Sequence, residues 1–161
     1  MPTADVAAMI KNIGLARDRF VFGLEQVPED RLTFKPSETS ASPLEVAGKM
    51  AGFTAFLGQF IAEGTMPDRS GGPKPAPASR EAALEAVNGG FAGMVERLGA
   101  LSDEDLNRSL TMPWGTVTSA RDMLWGVPAV VGYWQGQLNY LQTVYGDMEP
   151  NIPPSWFPSK D

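Results

Sequence analysis

The residues in this chain best suited to chemistry are few, and the strongest of them is Lys49. It sits in SPLEVAGKMAGFTAFLGQFIAEG, where Val46, Met50, Phe53, Leu57 and Phe60 recur at helical spacing. On a helical wheel Lys49 falls between Phe60 and Phe56, one turn before Phe53, inside the apolar arc. A lysine there has two readings. Its stem lies along the apolar surface while the ammonium snorkels to water. Alternatively it is partly desolvated, and then it anchors an anion or serves as a base or Schiff-base nucleophile. On the last long helix, Met123, Val127, Val130, Trp134, Leu138, Leu141 and Tyr145 share one face, with Trp134 at its centre. That indole either packs in a core or takes the Lys49 charge over its ring. Lys49, Phe53, Phe56, Val130 and Trp134 thus outline a pocket for a small apolar or anionic ligand. Lys49 is the best catalytic candidate, and in a reading as an enzyme it works with Arg17, within the inner stripe of the first helix, or Tyr133 as polar partner.

Composition removes most other chemistry. The chain has 161 residues and neither Cys nor His, which excludes disulfides, thiol nucleophiles, thiolate metal sites and imidazole as base or ligand. A formal charge of −6 with scattered Lys and Arg argues against nucleic acid, which demands clustered cations. The start, MPTADVAAMIKNIG, lacks the basic and apolar regions of a signal peptide. Every apolar run is too interrupted to span a membrane, so a cytoplasmic location is expected. Asp103, Glu104 and Asp105 read as a solvent-facing helix cap, because the alternating Asp/Gly loop of a calcium hand is missing. Ser70-Gly71-Gly72-Pro73 reads as linker. No nucleophile elbow, phosphate loop or dinucleotide fingerprint occurs, and no cofactor is expected.

One domain over residues 1–161 suits this length. Four amphipathic helices carry the apolar periodicity: residues 4–25, 43–63, from 80 onward, and 120–145. Ser42-Pro43-Leu44-Glu45 is a helix start with a cap, a first-turn proline and Glu at the third position. Ser79 caps the third helix, whose stripe is Leu84, Val87, Phe91, Met94, Val95 and Leu98. Gly89, Gly90 and Gly93 suggest close approach of another helix. Ser119 and Asp122 open the fourth, and Pro128 is expected to kink it near Leu124. Residues 64–79 are too rich in Pro and Gly to pack and read as a mobile loop. TMPWGTVT reads as a brief extended excursion. Residues 147–161 read as an extended tail strapped across the bundle by Trp156 and Phe157. The expected fold is all-α, a four-helix bundle with long connections, so neighbouring helices need not alternate in direction.

The last helix has a second patterned face. Trp125, Ala129, Gly132, Gly136 and Asn139 lie opposite Trp134, and their small members permit close approach. Either this helix is central in its bundle or the face meets a second subunit. A homodimer through it is the expectation.

Two stretches carry a family resemblance over nearly the whole chain. LEQVPEDRLTFKPSETSASPLEVAGKMAGF has a Pro-acidic turn, an aromatic-x-Pro and a Ser opening a helix. GYWQGQLNYL is similar to an ending of the form HHRGQLxYL. In this combination the chain resembles the DinB-like superfamily of metal-dependent four-helix bundles. The resemblance implies three ligand histidines, one early in the second helix and two on the fourth at i and i+4, which share a face. Carried over, those positions hold Lys49, Val130 and Trp134, none an ordinary metal ligand. The implied reading is a divergent member with a degenerate, metal-free site, working in binding or interaction through the cleft between the second and fourth helices. The alternatives are altered chemistry of a transferase or hydrolase kind using Lys49, and a metal-dependent thiol transfer if other residues bind the metal.

Overall fold

The computed structural model describes residues 3–68, 70, 72 and 74–157. Gly71 and Pro73 of the expected linker, and residues 158–161 of the expected tail, lie outside them. The described chain is a bundle of four long helices: α1 (Ala4–Gln26), α2 (Pro43–Glu63), α3 (Arg80–Gly99) and α5 (Ala120–Val144). Between the last two stand a short helix, α4 (Asp103–Asn107), and an antiparallel hairpin, β1 (Ser109–Thr111) and β2 (Val117–Ser119).

The helix starts follow from local side-chain chemistry. Ser42 accepts from Glu45 N while the Glu45 carboxylate accepts from Ser42 N at 2.9 Å, a reciprocal pair that satisfies two otherwise unbonded amides. Ser102 and Asp105 repeat the device on α4, so the acidic turn is a cap, as its sequence suggests. Ser79 and Ser119 cap α3 and α5. Gly64 closes α2 in the left-handed conformation at φ 74°, which suits a residue without Cβ. Pro128 lies within α5, which continues through it as one helix. The excursion after α4 pairs as a hairpin because Met112 N and Thr116 O bond at 2.8 Å across a turn at Gly115, φ 87°.

Long-range hydrogen bonds fix the helix directions. Leu44 N bonds Leu32 O at 3.2 Å, and Arg80 donates to Val27 O, so the end of α1 and the starts of α2 and α3 share one end of the bundle. At the other end, Arg108 donates to the carbonyls of Ile61 and Ala62, and Ala120 N bonds Arg108 O at 3.0 Å. Hence α2 and α3 run one way, α1 and α5 the other. Because α2 and α3 are parallel, Glu63 at the end of α2 and Arg80 at the start of α3 stand at opposite ends of the bundle. In the ring of neighbours, α2 packs on α3 and α5, and α1 packs on α3 and α5.

The core runs down the middle of that ring. Phe20, Phe60, Phe91, Met9, Ile13, Met50 and Met94 are among its largest fully buried members. Each such side chain contributes about 1.5–3 kcal/mol relative to exposure. The closest seam is α2 on α3, where Gly58 lies against Met94 and Gly90 against Ala51 and Thr54. Gly90 therefore does permit close approach. Gly89 does not, since a Cβ there would meet nothing within 4 Å.

The end of the chain departs from expectation. Residues Pro154–Trp156 form a single 3-10 turn, where no helix was expected. Trp156 does reach back to α1, its ring centroid 5.4 Å from the Arg19 guanidinium carbon. Phe157 remains 63% exposed, so the strap holds through one aromatic residue and not two.

Candidate functional site

α5 has two different seams, because its neighbours α1 and α2 stand on different sides. Its deepest stripe is Leu124, Val127, Val131, Gln135, Leu138 and Leu141, the sector between those neighbours. The apolar wheel centres instead on Trp134, and is rotated by about one residue. Hydropathy pulled it toward the indole, whereas the geometry buries a glutamine: Gln135 is only 3% exposed.

Met123, Val130, Trp134 and Tyr145 form a half-buried edge of that stripe, and none of them lines the groove that α5 makes with α1. Trp134 packs against the core and stands edge-on to Tyr133, the ring centroids 5.1 Å apart and the planes at 74°. Its Nε1 is enclosed and finds no acceptor among the described residues. An indole N–H donates and cannot accept, so a buried one without a partner is a costly arrangement.

From α2, Phe53 and Phe56 are half-buried against the same core, and Phe56 stacks on Phe60 at 6.2 Å with an 18° interplanar angle. Lys49 differs from its wheel position. It is exposed, one turn beyond Glu45, where its charge adds slightly to the groups holding that carboxyl down. The physical reason is that long amphipathic side chains at a stripe's edge leave it when water is within reach. Tyr133 is also exposed, at 63%. Arg17 is not brought to this seam: it lies on α1 and pairs with its own neighbour Asp18 at 2.5 Å.

The seam closes at its α2-start end in a small cation–aromatic cluster that the sequence reading did not single out. The Arg31 guanidinium carbon stands 5.8 Å from the Phe34 ring and 5.9 Å from the Tyr145 ring, which themselves meet edge-on. Burial pushes the Tyr145 phenol up, Asp147 adds to that, and Arg31 opposes it. Beside them Lys35 bonds Glu45 at 2.6 Å. That bond, with the Ser42 amide, holds the Glu45 carboxyl below the usual range.

The other seam, between α1 and α5, holds a groove of about 530 Å³. The face opposite Trp134 lines it through Trp125, Gly132, Gly136 and Asn139; α1 contributes Leu15 and Arg19, and the tail contributes Trp156. Among the described residues a Cβ on Gly132 or Gly136 would meet nothing within 4 Å, so these glycines do not serve packing against any of them.

Metal chemistry can be tested on the donor set. Lys49 is a cation, Val130 has no donor atom and Trp134 offers only an N–H, so these three do not fit a metal ion. Among the described residues no three Asp or Glu side chains gather where they would hold a metal ion. No described helix is long and apolar enough to cross a membrane.

Comparisons with known proteins agree with this architecture. A family model described as the DinB superfamily matches residues 13–129, well over half the chain. The match includes Lys49 and stops one residue short of Val130. No curated protein matches. Among solved structures, a DinB-like protein from Bacillus subtilis (YjoA) is similar at a TM-score of 0.67 and 18% identity, over 91% of this chain and 96% of that one. At that identity the likeness speaks for the fold.

Proposed function

From the premise that this chain belongs to the DinB superfamily, we propose that it is a metal-independent binding protein whose site lies along the α2–α5 seam. The observation that carries this reading is Trp134: a half-buried indole whose Nε1–H has no acceptor among the described residues. A ligand inserted into the seam would supply that acceptor, and Phe53, Phe56 and Val130 would contact its apolar body. Lys49 at the exposed edge favours an anionic group at the ligand's outer end. The ligand class is therefore a small apolar molecule with a hydrogen-bond acceptor at its buried end and an anion at its outer end. An exposed ammonium stays hydrated, so covalent chemistry at Lys49 has no supporting observation.

The chain's four tryptophans make the test site-resolved. In ¹⁵N-labelled protein the Trp134 indole resonance is expected to move on titration with 6-acetylnaphthalene-2-sulfonate, whose ketone is the acceptor and whose sulfonate is the outer anion, with several-fold weaker binding in Lys49→Met. A Trp134 resonance that stays fixed at millimolar probe would overturn the reading.

A further inference from the structure

We infer that the α1–α5 groove is a second, separate ligand site, suited to a small planar aromatic anion bearing a hydroxyl or N–H donor. Its volume of about 530 Å³ falls within the usual range for small-molecule sites. The lining is mostly apolar, with a few polar groups converging on it.

Three observations define what it takes. Trp125 and Trp156 are 49% and 39% exposed and offer flat faces for a ring. Arg19 lies over Trp156 and has no ion pair among the described residues, in a chain with 19 acidic side chains available. A guanidinium stacked on an aromatic face and left without a carboxylate is poised for a planar anion. The groove is also lined by Gln135, whose Nε2 donates to Asn139 Oδ1 at 2.8 Å. Its Oε1 is enclosed and accepts from no described residue. A donor carried by the ligand satisfies that buried oxygen, where leaving it unpaired costs about 1–3 kcal/mol.

The glycines make room. Gly132 and Gly136 stand one turn apart on the groove wall. Glycine in a helix interior costs about 1 kcal/mol relative to alanine, and no contact with a described residue recovers it. An occupant approaching the α5 backbone does. A helix of a second copy would also fit small residues, but it would leave the Gln135 acceptor and the Arg19 charge unmatched unless it brought a donor and an anion to those points.

The probe is 4-hydroxybenzoate, followed through the Trp125 and Trp156 indole resonances. Both are expected to shift with saturation, while Trp134 stays fixed. Benzoate, which lacks the donor, and phenol, which lacks the anion, are each expected to bind about tenfold more weakly. Arg19→Gln should lose the preference for 4-hydroxybenzoate over phenol and keep the preference over benzoate. Gly136→Leu should fold, because the space above it is open, and should abolish binding. Equal affinity for all three probes, or unchanged binding in Gly136→Leu, would overturn the inference. So would Trp125 shifts that follow protein concentration without any probe, since a second copy would then cover the groove. Because the readouts are different tryptophans, failure here leaves the α2–α5 reading to stand or fall separately.

Discussion

A methyl group on Gly58 would come within 2.9 Å of the Cα of Met94, so the α2 and α3 backbones meet at a distance that only glycine permits. The obstacle is main chain and cannot rotate aside. Gly58→Ala is therefore expected to destabilise the bundle by about 1–3 kcal/mol, despite the better helix propensity of alanine. Gly136→Ala is the control, since nothing lies within 4 Å of its Cβ; it should gain up to about 1 kcal/mol. Urea denaturation of both variants checks the contrast, and two shifts of the same sign would refute the packing argument.

The Ser42–Glu45 pair ties α2 to pH. Lys35 first, then the Ser42 amide, lower the Glu45 pKa below its ordinary value near 4.5. With the folded pKa depressed, the unfolded chain binds the proton more readily as pH falls. The resulting stability is present above about pH 4.5 and is lost as pH drops through the folded value. Ser42→Ala should cost about 1 kcal/mol at neutral pH. Lys35→Met, which removes the largest of those causes, should flatten this acid-side slope; an unchanged slope in thermal melts between pH 3 and 6 would count against the assignment.

At the opposite end, Arg108 donates to Ile61 O and to Ala62 O, the latter at 3.0 Å, and so caps the last carbonyls of α2. Its guanidinium Nε and Cζ also fill the space beside Gly64. Arg108→Met keeps most of the stem and removes the donors. A loss of about 1.5–3 kcal/mol is expected, the range for hydrogen bonds from charged groups, together with faster amide exchange at Gly64. Exchange at the start of α2 should not change.

The scaffold was readable because its signals are local. Ser42, Ser79, Ser102 and Ser119 each announce a helix start through one hydroxyl and one amide, and Gly64 announces a stop. The faces were less readable. A wheel weights side chains by hydropathy, so it centred α5 on Trp134 and passed over Gln135 and Gln142, which are buried at 3% and 2% exposure. Their spacing with Leu124, Val131 and Leu138 carried the signal, but their polarity hid it. Lys49 shows the converse. Its position lies within the arc, yet its flexible stem lets the charge leave, and no periodicity encodes which happens. The α1–α5 groove depends on the tail returning Trp156 to Arg19, a contact 137 residues apart in sequence that no local pattern reveals.

The central claim is that the seam of a DinB-superfamily bundle here works without a metal. Its most direct test is a zinc titration of the purified wild-type chain in competition with a chromophoric chelator, with elemental analysis of the protein as isolated. The donor set of Lys49, Val130 and Trp134 predicts no stoichiometric site tighter than about 1 μM, well short of the tight binding of structural zinc. One tightly held equivalent of metal per chain, lost on substituting Trp134 or Val130, would contradict the account.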